Sequence, residues 1–356
     1  MSTSISDPFQ AAADPSLPTV ALALDPVRMR RYFRRRLPLA PSVSGRLRLR
    51  AIRVTRHKPG KRCLIEYDVV VTRADGTRDR QTLIGKVRAH RYGLADYRLL
   101  QALWDAGFDE DSLDGISVPR PLGFVTPCNM GLQGKVAGEA ATKRLTAPEG
   151  VALARRIAEA AWKLHRAGVP TERRHGMADE MSILQRCLRT VAESEPRWAV
   201  RLERLFESCT RLAAATPDPV PCGIHRDFYA DQVMVDGSRL YLLDFDLYCR
   251  GDPGLDIGNF LGHLTEQGLH CFGDAAVLAD REEAIEERFV ELSGEAVRPV
   301  VRAYATLTLV RHVYLSRRFP ERAHWTERLL ELCEERLGAA SVRGPAAALE
   351  RMKDEG

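Results

Sequence analysis

Between residues 46 and 88 apolar and polar positions alternate along the chain. "RLRLRAIRVTRH", "CLIEYDVVV" and "RQTLIGKVR" are separated by the turn-forming stretches "KPGK" and "ADGT", a pattern that predicts three antiparallel strands. From 94 to 106 the spacing becomes helical, with Leu94, Tyr97, Leu100 and Leu103 or Trp104 along one side. "VPRPLGFV" and "MGLQGKV" read as two further strands. Beyond about residue 147 the helical period dominates, interrupted where "QVMVDGSRLYLLDF" predicts a hairpin turning at Asp236-Gly237. The expected fold class is α+β and two-lobed: an N-terminal antiparallel sheet lobe with one helix, and a larger, mainly helical C-terminal lobe. Residues 1–24, rich in Ser, Pro, Ala and Asp and without periodicity, are expected to lack fixed structure. The N-terminal lobe is then 25–133, the C-terminal lobe 134–340 and a tail 341–356.

Composition agrees with this size of core: 356 residues, 45% hydrophobic and 28% charged, suffice for one large core or two joined ones. No apolar run approaches the roughly 18 to 20 residues that span a bilayer. The first residues lack the basic start and apolar stretch of a signal peptide, so the expectation is a cytoplasmic protein without a membrane role. Eight cysteines occur without a CxxC pair, which argues for reduced thiols filling the core and against zinc or a disulfide framework. A net charge of +5 is mild and gives no case for nucleic acid. The basic excess is local: Arg28, Arg30, Arg31, Arg34, Arg35 and Arg36 crowd one short helix. They read as a solvated face above inward Met29, Tyr32, Phe33 and Leu37, with an anion-binding surface as the alternative.

Residues 222–261 carry seven aspartates among apolar runs. The predicted hairpin would set two loops, "HRDFYADQ" before it and "DFD" after it, side by side, bringing Asp227, Gln232 and Asp244 together. Phosphoryl transfer from ATP needs one carboxylate to orient or deprotonate the attacking hydroxyl and others to hold magnesium against the phosphates. Carboxylate and amide oxygens are the hard ligands that magnesium prefers.

"HRDFYADQVMVD" followed by "LLDFDLYCRGDPGLDIGNF" resembles the catalytic segment of the aminoglycoside phosphotransferase and choline kinase group, small-molecule kinases of the protein-kinase-like fold. The resemblance implies Asp227 as catalytic base, Asp244 as magnesium ligand and Asp256 as the buried brace of the catalytic loop, with Asp252 and Pro253 structural. Gln232 stands where the family usually has Asn, its amide oxygen one methylene further out. Asp246 replaces a Gly and is either a second metal ligand or a loop residue. Lys86, ending the third strand, takes the place of the ATP-phosphate lysine, with Asp96 of the following helix as its carboxylate partner. The "RHKPGKR" turn, with Gly60 and near it Lys58, Lys61 and Arg62, takes the place of the phosphate-covering loop. Residues 132–138, with Gln133 and Lys135, take the place of the adenine-binding hinge. The expected activity is ATP- and Mg2+-dependent transfer of the γ-phosphoryl group to a hydroxyl of a small molecule. A nucleotide-binding pseudokinase acting as an interaction module and AMP transfer to a protein remain alternatives. Arg302, Arg311, His312, Arg317 and Arg318 on a late helix favour an acidic or neutral acceptor over an aminoglycoside, unless they lie on solvent faces.

Overall fold

The computed structural model describes residues 3–37, 46–73, 75–89 and 92–342. The chain divides into two compact units, Met1–Gly138 with Met234–Asp246, and Glu139–Val233 with Leu247–Gly356.

The first unit is built on a six-stranded sheet in the order β1-β2-β3-β4-β7-β6. The alternating segments form β2 (Arg46–Lys58), β3 (Arg62–Thr72) and β4 (Arg78–Arg88), and β3 buries every second residue along its whole length. Cys63, Ile65, Tyr67 and Val69 thereby enter the core, as the period of two requires. Helix α1 (Thr19–Ala23) and helix α2 (Pro26–Arg36) precede these strands, and α3 (Tyr92–Leu103) follows them. Then come β5 (Ile116–Ser117), β6 (Pro121–Val125) and β7 (Met130–Gly134). Helix α2 starts where the Asp25 carboxylate accepts from the Val27 and Arg28 amides, a side-chain cap followed by proline at the first helical position. Its Met29 and Phe33 are buried, Phe33 edge-on to Tyr67 at 5.2 Å, while Arg30, Arg31, Arg34 and Arg35 face solvent.

Residues 3–24 correct the expectation of a structureless tail. β1 (Ser4–Ser6) joins the sheet edge parallel to β2, the one parallel pairing in this sheet among the described residues. Ala11, Leu17, Val20, Ala23 and Leu24 are buried in the sheet's core, and the Tyr67 hydroxyl donates to the Ala23 carbonyl at 2.9 Å. A segment without periodicity of its own is ordered here because it covers an apolar sheet face, a partner remote in sequence. Of the expected C-terminal tail, residues 343–356 lie outside the described residues.

The second unit contains β8 (Glu139–Ala140), α4 (Ala141–Arg144), α5 (Gly150–Arg166), α6 (Met177–Ser194) and α7 (Ala199–Ala215), then β9 (Cys222–Ile224). The hairpin strands β10 (Val233–Asp236) and β11 (Arg239–Leu242) interrupt it. It resumes with β12 (Cys249–Gly251), α8 (Pro253–Phe272), α9 (Ala279–Ser293), α10 (Arg298–Arg317) and α11 (Thr326–Val342). Strands β9 and β12 pair antiparallel, Ile224 opposite Cys249. Helices α8 and α10 pack backbone to backbone: a Cβ on Gly258 would stand 2.4 Å from the Tyr304 Cβ and 2.7 Å from the Ala305 nitrogen. Among the described residues no helix is long and apolar enough to cross a membrane.

Candidate active site

The nucleotide side of the candidate site lies on the first unit. In the antiparallel ladder Arg62 of β3 stands opposite Arg88 of β4, and Leu64 opposite Lys86. Lys86 in turn faces Gly131 of β7, and Ile84 faces Gln133. Opposed residues, and residues two apart, share a face, so one sheet face carries Arg62, Lys86, Arg88 and Gln133. Like charges so placed repel, and three aspartates offset them. Lys86 Nζ is 3.9 Å from the Asp244 carboxylate, and Arg62 Nη1 is 3.2 Å from it. Asp246 is paired with both Arg62 and Arg88, while Arg88 Nε meets Asp96 at 2.9 Å.

The hairpin presents Asp244 and Asp246 here because β11 adds in parallel to β5, with Leu240 opposite Ile116. Arg239 fixes the pairing by donating to the Ser117 hydroxyl at 2.6 Å and to the Ser112 carbonyl at 3.2 Å. Asp244 itself has left-handed backbone, φ 56°, a conformation Asp tolerates better than most residues. Burial would raise its pKa, but Lys86, hydrogen bonding with Asp246, Arg62 and Arg88 together hold it well below the carboxylate range. The Arg88 guanidinium is desolvated, yet Asp246, Asp96 and Asp244 keep its pKa above the ordinary value.

Several expected partners are exchanged. Asp96 pairs with Arg88, not with Lys86: Lys86 is engaged by Asp244, and the short Asp96 side chain meets the cation two residues further along the strand. The Gly60 amide (φ 68°) donates to Asp14 at 2.9 Å, and Asp14 also meets His57 Nε2 at 2.9 Å. The N-terminal segment therefore clamps the turn expected to cover the phosphates. Lys135 extends to Glu66 at 2.7 Å, and its amide donates to the Thr82 carbonyl. Gln133 lines a cavity of about 40 Å³ with Lys86, Arg88, Asp96, Asp244 and Asp246. Arg88 and Asp14 escaped the sequence reading, although the spacing Lys86-x-Arg88 already put both cations on one face.

The loop expected to be catalytic belongs to the second unit and follows β9. Asp256, fully buried in the first turn of α8, accepts from the His225 amide at 2.8 Å and the Arg226 amide at 2.6 Å. His165 Nε2 meets the same carboxylate at 2.9 Å. Arg226 has φ 70°, strained for a long side chain, and two charge-assisted bonds to its own and the preceding amide hold it there. Beyond Asp227, Asn259 of α8 donates to the Phe228 carbonyl at 2.9 Å and accepts from Arg311 at 2.7 Å. Arg311 also meets Glu180, which is bonded to His175. Gln232 turns its amide nitrogen to the Tyr229 hydroxyl at 3.2 Å, which leaves the amide oxygen as the available ligand atom. The basic residues of α10 do not form the anion-attracting surface anticipated for the acceptor. Arg302 pairs with Glu286, Arg311 with Glu180 and Arg317 with Glu195, while buried His312 is held uncharged by desolvation, then by His263 and Arg311.

The donor chemistry fits magnesium. Among the described residues no group of three His, Cys, Asp or Glu side chains forms a cage, but magnesium takes one or two carboxylates and completes its shell with phosphates and water. Asp244, held ionised, and Asp246 are such carboxylates.

No curated protein matches the chain by sequence. Among solved structures it is similar to a choline/ethanolamine kinase family protein from Mesorhizobium loti (14% identity, 87% of this chain and 94% of that one covered, TM-score 0.55). It is also similar to a thermostable mutant of aminoglycoside phosphotransferase APH(4)-Ia (14%, 83% and 96%, 0.53), and to a glucosamine kinase (15%, 94% and 98%, 0.52). At such identities these likenesses establish the kinase-like two-lobed fold. Residues 80–304, more than half of the chain, match the phosphotransferase enzyme family, and the chain is therefore a member of that family.

Proposed function

We propose that the protein transfers the γ-phosphoryl group of ATP to a hydroxyl of a small molecule, with Mg2+ as cofactor. The observation that carries this reading is the Lys86–Asp244 pair at 3.9 Å, a phosphate-binding cation beside a carboxylate held ionised. Support comes from the family and from an APH(4)-Ia variant of the same fold, whose ternary complex holds ADP and hygromycin B (TM-score 0.52).

Asp227 takes the proton of the acceptor hydroxyl as its oxygen bonds to the γ-phosphorus. The bond from that phosphorus to the β–γ bridging oxygen breaks, and ADP departs. Lys86 offsets charge on the phosphates, and Asp244, Asp246 and Gln232 are the ligands offered to the metal, which when bound neutralises charge developing on the transferred group. Asp256 keeps the Asp227 loop in its left-handed turn before substrate arrives, so little reorganisation remains for the reacting complex.

The test is to incubate the protein with Mg2+, a pool of hydroxyl metabolites and ATP labelled at either the γ- or the α-phosphate. Label should leave the γ position for a small acceptor, and Asp227→Asn should cut that turnover by roughly 10²- to 10⁴-fold, the scale of a positioned general base, with ATP binding retained. Transfer of α-label to protein, or ATP left intact across the pool, would overturn the proposal.

A further inference from the structure

The carboxylates suited to the metal are held by a guanidinium. Arg62 Nη1 lies 3.4 Å and 3.2 Å from the two oxygens of Asp244 and is also bonded to Asp246. Magnesium takes carboxylate oxygen at roughly 2.0–2.1 Å, so a divalent cation bound to Asp244 would compete with the Arg62 guanidinium for the same carboxylate charge. Arg88 differs from Arg62, because Asp96 anchors it independently of Asp244. Among the described residues Arg62 is ion-paired with these two acids alone.

Resting on the phosphotransfer reading, we propose that Arg62 is an exchangeable counter-ion: it neutralises Asp244 and Asp246 before a metal–nucleotide enters, cedes them to the divalent cation, and turns to the nucleotide's phosphates.

Charge balance gives the direction of the exchange. Arg62, Lys86 and Arg88 face Asp96, Asp244 and Asp246, three positive groups against three negative ones. A dication added alone leaves an excess of two positive charges in a cluster where the Arg62 side chain is only 14% exposed, and unpaired buried charge is costly. Polyphosphate relieves the excess, and a guanidinium fork matches its oxygens. Position allows the movement, since Arg62 is the first residue of β3, directly after the Lys58–Lys61 turn. The consequence is mutual dependence. Metal alone competes with Arg62 and binds weakly, whereas metal with nucleotide gives Arg62 a new partner and binds well.

The experiment titrates the full-length, nucleotide-free protein with Mn2+, reading free Mn2+ by electron paramagnetic resonance, and then measures MgATP affinity by calorimetry. Arg62→Gln should bind Mn2+ roughly tenfold to hundredfold more tightly than wild type, the scale of one charge-assisted pair removed, and bind MgATP about tenfold or more less tightly. Arg62→Lys, which keeps the charge but loses the fork, should fall between the two on both scales and replaces Arg62→Gln if that variant shows no cooperative melting. Equal or weaker Mn2+ binding by the folded variants overturns the exchange. Asp244→Asn in the Arg62→Gln background separates this from the parent reading: Mn2+ binding indifferent to Asp244→Asn removes Asp244 from the metal site itself.

Discussion

At the scale of single residues, one carboxylate serves several cations. Asp244 meets Lys86 and Arg62, and its position after a period-two strand and a D-G turn was legible because hairpins are local. Asp244→Ala should abolish the magnesium-dependent part of the melting-temperature rise produced by ATP, while the rise with ATP alone should persist. An unchanged rise with ATP and magnesium would show that another residue holds the metal. Asp96 teaches the limit of register arguments. A carboxylate one turn into α3 was readable, but its choice of Arg88 over Lys86 depended on a third party, Asp244, drawn from the far end of the chain.

Elements add constraints that single residues do not reveal. Helix α8 carries the Asp256 brace, and its start is capped by Asp252, whose carboxylate accepts from the Gly254 amide at 2.8 Å and is bonded to Tyr304 of α10. Burial pushes the Asp252 pKa up to about 6, partly opposed by the Gly254 and Tyr304 bonds. The sign follows from proton counting. With a folded pKa above the unfolded one near 3.8, the native state holds more protons between the two values. Stability should therefore fall as pH rises from about 4 to about 6 and stay reduced above that. Asn caps helices as well as Asp, so Asp252→Asn should match wild type near pH 4 and gain up to about 3 kcal/mol by pH 7.5. Denaturant melts at the two pH values decide it, a constant difference counting against a titrating cap. The apolar period announced α8 and α10 as helices, whereas the need for glycine at 258 came from the approach of Tyr304 and Ala305.

Across the whole molecule, contacts distant in sequence order what local pattern leaves open. Asp14 reaches Gly60 and His57 across more than forty residues. Asp14→Ala should lower the melting temperature, because it leaves the partly buried Gly60 and His57 donors without this acceptor, and speed exchange of the Gly60 amide; unchanged exchange would mean the turn holds itself. Strand alternation, the helical C-terminal half, the hairpin and the order of Lys86, Asp227, Gln232, Asp244 and Asp256 are legible along the chain, because period and motif spacing are properties of short segments. Long-range packing, by contrast, orders residues 3–24, pairs the α10 arginines with Glu180, Glu195 and Glu286, and gives the acids after the hairpin to Arg62 and Arg88. Ion pairs and burial are competitions among all the groups that folding brings together, and partners up to 184 residues apart, as for Arg62 and Asp246, leave no trace in local spacing.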